Sequence, residues 1–146
     1  KKHEDNLDLM FRAGVLLKNM NRLQEAAAIF QKAATQNPDN IQVASNAFFT
    51  LYELGKWKEA YPFTKIFKLE ELDNPSLGLM LTRVYLQNED MKNAAQSKQK
   101  SLALMAQLKQ QGREEVVDTL QKNFATELSQ NITKDKIAAD RVPASN

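Results

Sequence analysis

The stretch EAAAIFQKAATQNPDN, Glu25 to Asn40, decides the fold. Small residues stand at Ala26 and Ala33, one large ring stands at Phe30, and a proline follows at Pro38. Proline lacks the amide proton that a helix interior needs, so Pro38 ends a helix. The small residues let a second helix come close, and Phe30 fills the gap between the two. One helix with an odd face reads this way. So does one unit of something that repeats, and the rest of the chain separates the two readings.

A shift of 34 residues brings the chain onto itself. Ala26 falls on Ala60 and then on Ala94, Leu17 on Leu51 and then on Tyr85, and Ala13 on Ala47 and then on Leu81. Asn21 falls on Gly55, and both residue types tolerate the left-handed conformation of a tight turn. The third copy has Glu89 there, beside Asn88. Each unit reads as two amphipathic helices around that turn, with apolar residues recurring at three- and four-residue steps.

This pattern resembles the tetratricopeptide repeat family, whose units of about 34 residues follow W-x2-L-G-x2-Y, then A-x3-F and a closing P. The repeats span 7–40, 41–74 and 75–108. The first has Gly14, Leu17, Ala26, Phe30, Ala33 and Pro38 in place. The second keeps Gly55 and Ala60, with Phe48 at the glycine position, Thr64 at the aromatic and Phe67 at the later alanine. The third keeps Tyr85 and Ala94, while Thr82, Lys98 and Ser101 occupy consensus apolar or small sites. The resemblance implies an all-α fold: a right-handed α-solenoid of three helix-turn-helix repeats closed by a C-terminal capping helix, with residues 1–131 as one domain.

Two regions depart from the pattern. Pro62, in YPFTKIF, lies where the second helix of the second repeat should run. A proline beyond the first turn costs about 3 kcal/mol or more, so that helix is kinked or starts late. The third repeat has no closing proline, and its second helix is expected to continue to about Gln111, with Gly112 as its C-cap. Beyond it, Val116/Val117, Leu120, Phe124 and Leu128 form one apolar stripe, and Glu114 and Glu115 suit a helix start. A stack of repeats needs a terminal cap with a polar outer side, and a helix over about 113–131 fits. The tail 132–146 is expected to be irregular.

Composition is that of an ordinary globular chain: 146 residues, 42% hydrophobic and 26% charged. Only four glycines and four prolines punctuate it, which favours helix. A net charge of +2 is too small to argue for nucleic acid. No apolar run approaches the roughly 20 residues of a membrane span, and no signal peptide is visible. Residue 1 is Lys, which reads as a processed or trimmed product. The compartment stays open between the cytoplasm, slightly preferred, and an exported location reached through a removed signal.

Chemistry-bearing clusters are lacking in the sequence. There is one histidine, His3, and no cysteine, whereas metal sites draw on clusters of His, Cys or carboxylates. The glycines stand isolated at 14, 55, 78 and 112, so no phosphate loop exists. The neighbours Glu70/Glu71 and Glu114/Glu115 point in different directions on a helix. The expectation is a chain that is not an enzyme, holds no metal or cofactor, and reads no nucleic acid.

The resemblance also implies a binding surface. Family members usually bind peptides on the concave side, lined by the first helix of each repeat. Carried over position by position, an apolar groove takes Phe11, Val15, Asn46, Phe49, Tyr52, Leu79, Met80, Arg83 and Leu86. A subset of the family grips acidic chain ends with a dicarboxylate clamp of Lys, Asn and Arg. The matching positions here hold Phe11, Val15, Asn46, Ser76 and Met80, and only Asn46 agrees, so the clamp is rejected. What remains suits a protein or peptide partner: an apolar patch with a polar border, rich in aromatic residues and methionine with one Arg. The same residues would be lost to a partner if the chain's own ends covered them. Bacterial type III secretion chaperones of the translocator class are similar in layout, although typically acidic where this chain is basic. The alternatives are a scaffold or spacer within a larger secretion, envelope-assembly or glycosyltransferase protein, and a homodimer through the Leu120–Phe124–Leu128 stripe.

Overall fold

The structure, a computed structural model, describes residues 2–132, with side chains from Asn6 onward. The expected irregular tail beyond Ile132 and the side chain of His3 lie outside the described residues. Among the described residues there is no strand. The helices are α1 (Lys2–Asn19), α2 (Leu23–Gln36), α3 (Ile41–Glu53), α4 (Trp57–Ala60), α5 (Pro75–Gln87), α6 (Met91–Gln110), α7 (Glu114–Asn123) and α8 (Ala125–Ser129). Two 3-10 segments, Tyr61–Ile66 and Leu69–Glu71, lie between α4 and α5. The fold is all-α and consistent with a helical repeat. Its contacts gather into two compact units, Lys1–Ile66 and Phe67–Asn146.

The 34-residue period is written in the backbone. Asn21, Gly55 and Glu89 all have positive φ, at 59°, 72° and 60°. At each of these turns an amide closes back on the last turn of the preceding helix. Arg22 N–H donates to Leu17 O at 2.8 Å, Lys56 N–H to Leu51 O at 2.9 Å, and Asp90 N–H to Tyr85 O at 2.9 Å. This six-to-one bond after a left-handed residue satisfies a carbonyl that the helix end would leave bare. Glu89 takes up the strained conformation itself, although its neighbour Asn88 is the residue type that tolerates it better. Helix starts share the period too: Asn40 accepts from Val43 N–H, and Asn74 accepts from Ser76 and Leu77 N–H. Asparagine is a preferred N-cap because its short side chain reaches those orphan amides.

In the first unit, α1, α2 and α3 pack in sequence around one core. Ala26, Phe30, Ala33, Ala34, Val43, Ala44 and Ala47 are buried there. Gly14 makes the α1–α2 approach: a Cβ on it would stand 2.5 Å from the Phe30 ring. The second helix of the next pair is cut short. After four residues of α4 the chain tightens into the 3-10 segment Tyr61–Ile66. Pro62 has no proton for the carbonyl four residues back, and its ring crowds that carbonyl. Thr64 Oγ1 donates to Tyr61 O at 2.6 Å and is buried.

In the second unit, α5 and α6 form the main pair. Gly78 sets their separation, since a Cβ there would collide with Ser101 Oγ and reach Leu72. Buried hydroxyls line this seam. Thr82 Oγ1 and Ser97 Oγ lie 2.7 Å apart, Thr82 also reaches Gly78 O, and Ser101 Oγ donates to Ser97 O. The helix α6 ends at Gln110, and Gly112 follows with φ 78°. The segment expected as one capping helix is two, α7 and α8, broken at Phe124, whose φ is −121°. The break leaves the Asn123 carbonyl without a helical donor, and Arg83 Nη2 supplies one at 3.1 Å.

Candidate partner-binding face

In the first unit, α1 presents Phe11, Val15 and Lys18 in one row, at steps of four and three residues. On α3, Asn46, Phe49 and Glu53 form a matching row, with Tyr52 beside it. Lys18 Nζ lies 4.0 Å from Glu53 Oε1, which ties the ends of the two rows together. Phe11 and Val15 are half-buried and pack against the core of this unit, and the Phe11 ring tilts against Phe30 at 6.2 Å. Phe49 meets Phe48 edge-on at 5.5 Å, and Tyr52 meets Trp57 edge-on at 5.0 Å. These aromatic contacts hold the rings at fixed angles while leaving them partly exposed. Asn46 donates from Nδ2 to Gln42 O, one turn back in its own helix, at 2.7 Å.

The corresponding residues of the second unit are placed differently. Leu79 is fully buried, 0% exposed, in a cluster with Met105, Val117, Leu120 and Phe124. It belongs to the interior rather than to a surface. Met80 packs on the same cluster, and Leu86 is half-buried. Arg83 meets the Asn123 carbonyl, Glu127 Oε1 at 2.9 Å, and the Phe124 ring, over which it stacks at 4.9 Å. The Glu127 carboxylate is itself buried beneath this contact. A charge-assisted hydrogen bond and a cation–π contact together fix Arg83 against the C-terminal helices. So α7 and α8 cover this face of α5.

The same packing uses up the Leu120–Phe124–Leu128 stripe. Leu120 and Phe124 are buried and Leu128 packs beside them, so the stripe is an internal contact of this unit. Spacing alone did not pair Arg83 with Glu127, 44 residues on. The readable clue was the stripe itself, which needed an apolar seat, and α5 offers Leu79 and Met80.

Sequence reasoning also did not locate a cleft of about 660 Å³ in the first unit. Its walls include Ala34, Pro38, Ala44, Pro62, Phe63 and Ile66, with Asp39, Glu59 and Lys65 at its polar parts. It opens where the 3-10 segment replaces the regular helix after Ala60. Among the described residues, no helix is long and apolar enough to cross a membrane.

The family model for the tetratricopeptide repeat matches residues 2–64. No curated protein matches the chain at a significant level.

Proposed function

Because residues 2–64 belong to the tetratricopeptide repeat family, we propose that this chain grips a peptide segment of a partner protein on the α1–α3 face of its first unit. Tetratricopeptide repeats generally mediate protein–protein interaction, and the family is typically non-catalytic. The proposed contacts are Phe11, Val15, Asn46, Phe49 and Tyr52. The observation that supports the reading is the 4.0 Å approach of Lys18 to Glu53, which marks the two rows as neighbours. Between them they offer rigid aromatic area with a polar border, the composition of interface cores. Met80, Arg83 and Leu86 belong to the second unit, where α7 and α8 already engage Arg83 and Met80, and the proposed face does not extend to them.

The reading is tested by affinity capture from lysate of the source cell, read by mass spectrometry. Wild-type protein is compared with Phe49→Asp and Val15→Asp, each checked for helical content by circular dichroism. A protein held by wild type and lost by both folded variants supports the face. Equal retention by all three refutes it and moves attention to the cleft beside Pro62.

A further inference from the structure

The cleft beside Pro62 lies on the other side of α3 from the proposed partner face. Ala44 is part of its wall. At about 3.6 residues per turn, Ala44 points away from the Asn46–Phe49–Glu53 row. The cleft is therefore a separate feature of the first unit, and the partner face leaves it unexplained.

Its shape follows from the two elements that flank it. On one side α2 stops at Gln36, just ahead of Pro38. On the other, the 3-10 segment Tyr61–Ile66 replaces a regular helix. At about three residues per turn, Phe63 and Ile66 stack in one row, and both pack on the apolar cluster of this unit. A wedge stays open between that row and the end of α2. Ala34 and Ala44 at its base are almost fully buried and too small to fill it. The space, about 660 Å³, falls in the size range of small-molecule sites.

The charge of the wedge is one-sided. Asp39 and Glu59 stand exposed along it, and neither forms an ion pair among the described residues. The last turn of α2 also belongs to the wall and carries no basic residue. The partial negative charge of that helix end thus meets no cation from its own helix. Lys65 is the one cation among the lining residues. It is exposed, and its flexible stem lets the ammonium stay in water. Gln31 and Thr35, one turn apart on α2, add an amide oxygen and a hydroxyl as acceptors.

We propose that this cleft binds a small amphiphilic cation: an apolar body carrying one ammonium group. The body rests on Phe63, Ile66 and the two alanines. The head, which has donors and no acceptor, turns to Asp39, Glu59 and the end of α2. An anionic amphiphile of the same shape would bring like charges together at that end.

The experiment titrates the isotope-labelled full chain with phenylbutylammonium and, separately, with phenylbutanol and phenylbutyrate, and follows the amide signals by NMR. The expected result with the ammonium is saturable shifts at Ala34, Ala44, Phe63 and Ile66, with a Kd of about 1–10 mM for a molecule of this size. The alcohol binds about fivefold more weakly, a factor in keeping with exposed charges and one helix end, and the carboxylate more weakly still. In the double variant Asp39→Asn/Glu59→Gln, checked for helical content by circular dichroism, the ammonium falls to within about twofold of the alcohol, the helix end alone remaining. The proposal is overturned if the three probes bind alike, if phenylbutyrate binds best, or if the folded double variant keeps the full preference. It is also overturned if no signal at the cleft moves, or if the shifts gather at Phe11 and Phe49 instead.

Discussion

The α1–α2 seam and the α5–α6 seam sit at equivalent places in the repeat pattern, yet they are filled by different physics. In the first, Gly14 on one helix admits the Phe30 ring from the other, and the contact is apolar throughout. In the second, the equivalents are Thr82 and Lys98. The threonine joins a buried hydroxyl set with Ser97 and Ser101, and Lys98 reaches out to donate to the Gln130 carbonyl. Closest approach shifts to Gly78 against Ser101. The intervening pair inverts the sizes, with Phe48 at the glycine position and Thr64 at the aromatic one, both buried. What the repeat conserves along this chain is the turn and the small contact at Ala26, Ala60 and Ala94. The residues that fill the interior are exchanged freely, provided volume and hydrogen bonding close.

The comparison breaks most visibly at Phe30. Phe30→Ala empties the apolar seam, and the expected loss is about 3–5 kcal/mol by urea denaturation. A loss below about 1 kcal/mol would mean that the ring does not carry the seam. Next comes Gly78→Ala. In an open helix this change would be favourable, but here the added methyl meets Ser101, and overpacking costs about 1–3 kcal/mol. Adding Ser101→Ala should recover part of that loss, and failure to recover would place the strain elsewhere, at Leu72 first. Smaller still is the Thr82–Ser97 hydrogen bond. A double-mutant cycle with Thr82→Val and Ser97→Ala should give a coupling of about 0.5–1.5 kcal/mol, and zero coupling would make the hydroxyls mere space-fillers. Least of all is Lys18→Met. The pair with Glu53 is long and exposed, so stability should change by less than about 1 kcal/mol.

The repeat period was legible in the sequence because turns and close helix contacts leave few options. Asn21 and Gly55 announce a left-handed residue, and alanine at 26, 60 and 94 announces a close approach. Glu89 gave no such signal, and its conformation is imposed by the helices on either side. Pro62 announced a disturbance without its form, because a proline forbids the α-helical bond but does not choose between a kink and a 3-10 segment. That Phe11 and Val15 share one row of α1 was legible, because local spacing decides it. The places of Leu79 and Arg83 were not. Their surroundings come from Phe124 and Glu127, and long-range packing of that kind leaves no periodic trace. Thr82 and Ser101 read as decay of the pattern, because hydroxyls that satisfy one another in a buried seam look, in sequence, like misplaced polar residues.

The central proposal is that the first unit offers its α1–α3 face to a partner, whereas in the second unit α7 and α8 engage the matching residues of α5. Hydroxyl-radical labelling of the full chain, resolved by residue with mass spectrometry, tests this most directly, because phenylalanines in both units can be compared with equal intrinsic reactivity. The account predicts that Phe11 and Phe49 are labelled well ahead of Phe30, Phe48 and Phe124, and that both are protected when a captured partner is added. Labelling of Phe124 as fast as that of Phe11, or a partner that protects Phe124 and leaves Phe11 and Phe49 unchanged, would contradict it.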